Sequence, residues 1–344
     1  IRKGRDMVHQ GTGAVGARLR RRVVAGFCAL ATLSLAAPGW AQSETPTLRI
    51  TTGGPTGTYF ALANEIMSIL PDDVPFEVVP SDGSVHNLRR LLAFEGSDEQ
   101  EYFQLALVQA DVLAQLRDRA RDNSVLQGIV DRIKVVMPLY VEEIHAYALK
   151  SEDLRSMDEI LSKNLRINAG KEKSGTNLTT RWLFEQLVSD DARLDIVNVN
   201  PEPGLPILGI AYGVLFDVAG APNDRGRAIT PESDITLVPI DVQALYDLPD
   251  SPYVRTVITP EQYTWLERDV ETMGVQALLV TFDYDERNPY CQQIERMTRA
   301  IIDSLPLLKD PATGAHPAWT EVNPLEGSQR GDLYKCSAPV LQGN

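Results

Sequence analysis

Short apolar runs alternate with amphipathic stretches along most of this chain, and that alternation sharply limits the folds open to it. Residues 48–52 read as a strand and 58–70 as a helix. Strands at 76–79 and 103–109 follow, with helices at 85–93 and 111–121. A second cycle starts near residue 141. It has strands at 144–149, 165–169, 196–199, 214–218 and 235–239, and helices at 157–162, 177–188, 205–212 and 242–248. An apolar strand at 275–282 is placed to return to the first half, and a long helix at 289–305 begins with proline near its first turn. Strand–helix alternation predicts a mainly parallel sheet with helices on both faces, here as two α/β lobes. Stretches 95–101 and 219–234 read as loops, the first acidic and the second rich in Gly, Pro and Asp.

Residues 1–41 have the order of a secretory signal. Arg18, Arg20, Arg21 and Arg22 precede an apolar run at 23–37, and Pro38-Gly-Trp-Ala41 ends in a small residue. Cleavage is expected after Ala41, Met7 is a candidate start, and the periplasm is the expected destination. An uncleaved anchor is the alternative, although a spanning helix needs about 20 apolar residues. These 41 residues carry seven basic side chains and one acidic one, so the net charge of −14 becomes −20 on their removal. A chain this acidic does not bind nucleic acid or anionic lipid non-specifically, and any anion it holds needs local donors in a shielded cleft. Cys291 and Cys336 remain after cleavage. They form either one disulfide tying the tail to the preceding helix or two separate thiols; the even count favours the disulfide.

The segment 48–70 is a strand, a glycine loop and a helix. Helix N-termini offer unpaired N–H groups and a positive dipole end, which suit a carboxylate or phosphate. The loop lacks a Gly-Lys-Ser/Thr ending and a G-x-G-x-x-G spacing, so it matches no nucleotide fingerprint. A tight turn without ligand is the other reading. Residues 170–177 repeat the same strand, loop and helix logic in the second half. Ligands of open α/β sheets lie beyond the carboxyl ends of strands, where both loops fall.

Five motifs then occur in order: Thr51-Thr-Gly-Gly-Pro-Thr-Gly-Thr-Tyr59, Gly83-Ser-Val-His-Asn-Leu88, Leu107-Val-Gln-Ala-Asp111, Ser174-Gly-Thr176 and Met273-Gly-Val275. In these the chain resembles the TAXI proteins, the extracytoplasmic solute-binding subunits of a class of TRAP transporters, from Leu48 to about Leu305. The resemblance implies a type II periplasmic-binding-protein fold. Its lobes would be 46–140 and 141–274, with 275–344 returning to the first, and its crossings near 139–144 and 270–275. It also implies a small carboxylate as solute, either an amino acid such as glutamate or a dicarboxylate or oxoacid, and a TRAP membrane permease as partner. The chain departs from the family in a longer 95–101 loop and in a tail reading His316-Pro-Ala-Trp319 where many members carry paired tyrosines. No arginine can be assigned by motif as a carboxylate clamp.

On this reading Gly53, Gly54 and Gly57 bring backbone N–H groups to the ligand beside Thr52. Thr58 gives a hydroxyl contact or caps its helix, and Tyr59 walls the cleft or packs. Ser84 caps the next helix, and Asn87 donates its amide to a carboxylate. Gln109 is a ligand contact, while Asp111 caps a helix or receives an amino group. Ser174, Gly175, Thr176 and Asn177 close from the second lobe. Phe216 and Asp217 flank the pocket, with packing in the core as the other reading of Phe216. Catalysis is not expected: His86 and His145 have no metal-ligand spacing, and no G-x-S-x-G elbow or activated cysteine is legible. The chain is thus read as a monomeric binding protein, neither enzyme nor metalloprotein, and without a cofactor. A sensory input protein for a membrane receptor is the alternative.

Overall fold

A computed structural model describes residues 45–92, 101–188, 194–199, 205–324 and 332–343. The expected signal segment and nearly all of the 95–101 loop lie outside the described residues. The first half holds β1 (Leu48–Thr51), α1 (Thr58–Ile69), β2 (Phe76–Val79), α2 (Ser84–Leu91), β3 (Leu105–Gln109) and α3 (Ala110–Ala120). α4 (Ser124–Val130) leads into β4 (Ile133–Leu149). The second half holds α5 (Met157–Ser162), β5 (Ile167–Asn168), α6 (Gly175–Glu185), β6 (Ile196–Val197), β7 (Val214–Ala219), α7 (Asp224–Arg227), β8 (Ile235–Leu237), α8 (Gln243–Tyr246) and β9 (Tyr253–Ile258). β10 (Val270–Phe282), α9 (Pro289–Leu308) and α10 (Ala338–Leu341) complete the chain.

The strands form one sheet in the order β2-β1-β3-β10-β4-β7-β5-β6, with β8 on β4 and β9 on β10. β1 runs parallel to β2 and β3, and β5 runs parallel to β6 and β7. β10 and β4 are antiparallel to each other and to their other partners, so the sheet is mixed where a mainly parallel one was predicted. The cause is β4. Its 17 residues, at about 3.3 Å each, carry it through both halves. It pairs with β10 from Ile133 to Glu143 and with β7 from Glu143 to Ala148. The expected crossings, 139–144 and 270–275, lie on β4 and β10, and Gly274 pairs with Glu143 there.

Both faces of the sheet are covered. Along β3, Leu105 and Leu107 enter one core cluster and Ala106 and Val108 another, as period-two alternation dictates. α1 buries Tyr59, Leu62, Ala63 and Ile66, a single helical stripe, on the first of these faces. The expected helix at 205–212 is a single 3-10 turn, Leu205–Ile207, and the loop at 219–234 contains the short α7. Cys291 of α9 is bonded to Cys336, with the Cα atoms 5.7 Å apart. The turn at Pro317–Glu321 seats Trp319 in the core, and its indole N–H donates to Glu65 of α1 at 2.6 Å. Among the described residues, no helix is long and apolar enough to cross a membrane.

Candidate ligand-binding cleft

The loop after β1 turns tightly: Gly57 N–H donates to the Gly54 carbonyl at 2.8 Å. A Cβ on Gly57 would stand 3.2 Å from that oxygen, so glycine suits the close turn. Gly57 is also the N-cap of α1. Thr58 is the first helical residue and does not cap, correcting that alternative. At α2 the N-cap is Gly83, with φ of 113°, a region that favours glycine. Ser84 is therefore not a cap either. Its Oγ accepts from Gln109 N–H at 3.1 Å and ties α2 to the end of β3. At α6, Ser174 is a true N-cap, its Oγ accepting from Asn177 N–H at 3.1 Å.

These loops converge on a cavity of about 280 Å³. Gly53, Gly54, Gly57, Thr58, Tyr59, Ser84, Gln109, Ser174, Gly175 and Thr176 all line it. Four other expected site residues stand behind its wall. Thr52 is buried and donates to the Val79 carbonyl. Asn87 has its amide fully engaged: it donates to the carbonyls of Thr52 and Leu107 and accepts from the hydroxyls of Thr51 and Ser81. It is a buried brace between β1, β3 and the α2 loop, and its amide is not on offer to a ligand. Asn177 turns to Asn198 at 2.7 Å and Arg181 at 3.2 Å. Phe216 is wholly buried, edge-on to Phe184 with ring centroids 5.5 Å apart, so core packing wins there. Asp111 is likewise buried, accepting from Thr179 and Tyr253.

Asp217 of β7, expected to flank the pocket, lines it too. The cavity also draws on residues that sequence reading missed or left unassigned. Tyr140 and Glu142 come from β4, Asn223, Asp224 and Arg225 from the start of α7, and His316 from the tail. Three residues that line it each carry a buried donor nitrogen with no hydrogen-bond partner among the described residues: Gln109 Nε2, Asn223 Nδ2 and Arg225 Nη1. Arg225 Nη1 does lie 3.6 Å from Asp217 Oδ2, too far for a hydrogen bond. Buried donors left unsatisfied are costly, and three of them belong to residues around one cavity.

The sequence matches the NMT1-like family over residues 50–331. This chain belongs to that family. Similar solved structures include the periplasmic binding protein BugD, at 13% identity and a TM-score of 0.50, over 86% of this chain and 93% of that one. A structure described as a periplasmic transporter has 13% identity and a TM-score of 0.43, over 78% and 84%. MatC from Rhodopseudomonas palustris, with bound malate, has 15% identity and a TM-score of 0.43, over 80% and 96%. The NMT1-like chain has the type II periplasmic-binding-protein fold, two α/β lobes around a ligand cleft.

In this NMT1-like protein the lobes touch beside the cavity. His86 N–H of α2 donates to the Lys173 carbonyl before α6 at 3.2 Å. The electrostatics of the cavity wall and of the layer behind it are set by burial. Tyr59 donates to Glu142 Oε2 at 2.6 Å, and burial pushes the Glu142 carboxyl up to about 8 against the pull of that bond. Burial also pushes Glu143 up to about 8; its Oε2 accepts from Ala221 N–H at 2.7 Å. Burial pushes His145 down to about 4, leaving the ring neutral. Its Nδ1 faces the Glu143 carbonyl at 2.9 Å and so carries the proton, and Nε2 then accepts from Tyr263 at 3.0 Å. Tyr263 in turn accepts from Asn223 N–H at 2.8 Å, fixing the start of the Arg225 helix. His145 is thus a satisfied structural histidine. Two signals marked the missed residues: an Asn-Asp-Arg-Gly run with the look of an N-cap, and a Glu pair inside an apolar run.

Proposed function

We propose that this NMT1-like protein is an exported, periplasmic solute-binding protein whose lobes close over a small carboxylate. The observation that carries this reading is the trio of orphaned buried donors, Gln109 Nε2, Asn223 Nδ2 and Arg225 Nη1, around one cavity. The N-termini of α1, α2 and α6 open on the same space and add the positive ends of their dipoles. Arg225 takes the part of the carboxylate clamp that no motif assigned. The TAXI-like motifs support a TRAP permease as the recipient of the solute. Amino acids such as glutamate, dicarboxylates and oxoacids are the solute classes to screen.

Protein stripped of carried-over ligand by unfolding and refolding is expected to gain thermal stability with one of these solutes, since a ligand that binds the native state stabilises it. Arg225→Ala is expected to weaken that binding by about ten- to a hundredfold, the worth of a charge-assisted hydrogen bond, with the fold retained. Melts with and without solute measure the first, and titration calorimetry measures the second. A stripped protein that binds none of these solutes would sink the carboxylate reading.

A further inference from the structure

Four carboxyl groups line the cleft, and one differs from the rest. Asp82 lies 3.3 Å from His86, Asp217 faces Arg225, and Asp224 is exposed. Glu142 is 5% exposed in the middle of β4, and among the described residues no Lys, Arg or His forms an ion pair with it. Tyr59 from α1 donates to its Oε2 at 2.6 Å, and the Tyr140 hydroxyl donates to Oε1 at 3.4 Å, a much longer bond. Asp111 from α3 and the adjacent Glu143 add negative potential. Arg225, Asp217 and His316 share the cavity. A carboxyl so enclosed keeps its proton at neutral pH, consistent with the upward shift to about 8. Oε2 takes the short bond from Tyr59, so the acid proton belongs on Oε1, which can accept the long bond from Tyr140 while donating its own proton. A neutral Glu142 is then one more donor in a cleft already supplied with donors.

We propose that Glu142 is a specificity-determining residue that, as a neutral carboxylic acid, donates a hydrogen bond to an oxygen of the bound carboxylate, so that solute and one proton are held together. This rests on the carboxylate reading above. Ionised, Glu142 would set a like charge against the solute and remove the donor. Affinity is therefore level below about pH 8 and falls by up to about tenfold per pH unit above it. Glu142→Gln keeps the shape and supplies an amide donor that does not titrate. It is expected to bind a few-fold more weakly at neutral pH and to lose the alkaline fall. Glu143, which titrates in the same range but faces Ala221, is present in both proteins, so their difference isolates Glu142.

The test is calorimetry of stripped wild type and Glu142→Gln from pH 6.5 to 9.5, with L-malate, 2-oxoglutarate and L-glutamate as probes. Carboxyl-region infrared spectra of both ligand-free proteins accompany it. Support is a wild-type affinity that falls above pH 8, a flat variant, and a protonated-carboxyl absorbance at pH 7 that is smaller in the variant by the Glu142 contribution. A wild-type affinity that is flat overturns the inference. So does one that rises through pH 8, because Glu142 would then be an ionised partner for an ammonium group. Equal protonated-carboxyl absorbance in the two proteins overturns it whatever the probes do, and leaves the carboxylate reading standing. The difference present with no probe bound overturns the carboxylate reading, and the donor role with it.

Discussion

Gly175 and Gln109 meet where the two lobes touch, and the contact leaves no room for another carbon. A Cβ on Gly175 would stand 1.3 Å from Gln109 Oε1 and 3.0 Å from Ser84 Oγ. Backbone cannot yield that far, but the Gln109 amide ends a flexible side chain and can swing aside. Doing so withdraws its Nε2, one of the three orphaned donors, from the cleft. The helix itself does not object: alanine is favoured over glycine in a helix by up to about 1 kcal/mol. Gly175→Ala is therefore expected to leave the melting temperature near that of wild type and to weaken solute binding about tenfold, roughly one hydrogen bond to a charged acceptor. Calorimetry and a melt on the same sample separate the two effects. A variant that binds as wild type does would remove Gln109 from the site.

At the scale of elements, α3 and α6 are pinned by one buried carboxyl. Asp111, in the first turn of α3, accepts from Thr179 of α6 at 2.5 Å and from Tyr253 at the start of β9 at 2.8 Å. Its other oxygen accepts from Val112 N–H at 2.8 Å. Thr179→Val preserves shape and removes one donor, and is expected to cost about 1–3 kcal/mol. Tyr253→Phe should cost a similar amount. Urea unfolding of the two single variants and the double variant should reveal coupling, since both donors serve one carboxyl; strict additivity would mean the hydroxyls act independently. None of this junction was legible in the sequence, because the partners lie 68 and 142 positions from Asp111. Elements with a clear period were legible: β2 and α5 fall where predicted, and α1 ends one residue early. β4 was not, because its lower half is buried on both faces and shows no alternation; only its last third read as a strand. β9 was missed for the opposite reason, since three of its four inner residues are exposed. The cleft divides in the same way. Glycine and serine after strands mark themselves locally, whereas the Asn-Asp-Arg-Gly run and the Glu pair that hold Arg225 and Glu142 do not tell that chain crossings bring the two to one cavity.

The molecule as a whole carries more acid than base, with a formal net charge of −14, yet the function proposed above puts an anion in its cleft. On that proposal local donors overcome the long-range repulsion, and the buried acids beside them stay neutral. That arrangement makes stability depend on pH in a direction opposite to the usual paired carboxylate. Glu142 and Glu143 titrate near 4.5 in the unfolded chain and at about 8 in the native one. Between those values the native state holds protons that the unfolded chain has released, so stability is full below about pH 4.5 and is lost as pH rises to about 8. His145 runs the other way: unfolded it charges near 6.5, while the native ring stays neutral to about 4, so its contribution is lost as pH falls through that window. Below pH 6.5 the two effects oppose each other. From pH 6.5 to 8.5 the glutamates act without that opposition, and the melting temperature of ligand-free protein is expected to fall. Glu142→Gln, neutral at every pH, should melt higher than wild type at pH 8 and show a shallower decline, the remainder belonging to Glu143. Scanning calorimetry at constant ionic strength measures both slopes. A wild-type melting temperature that rises across this span would mean that the two glutamates ionise as surface carboxylates do, and that the floor of the cleft is wet.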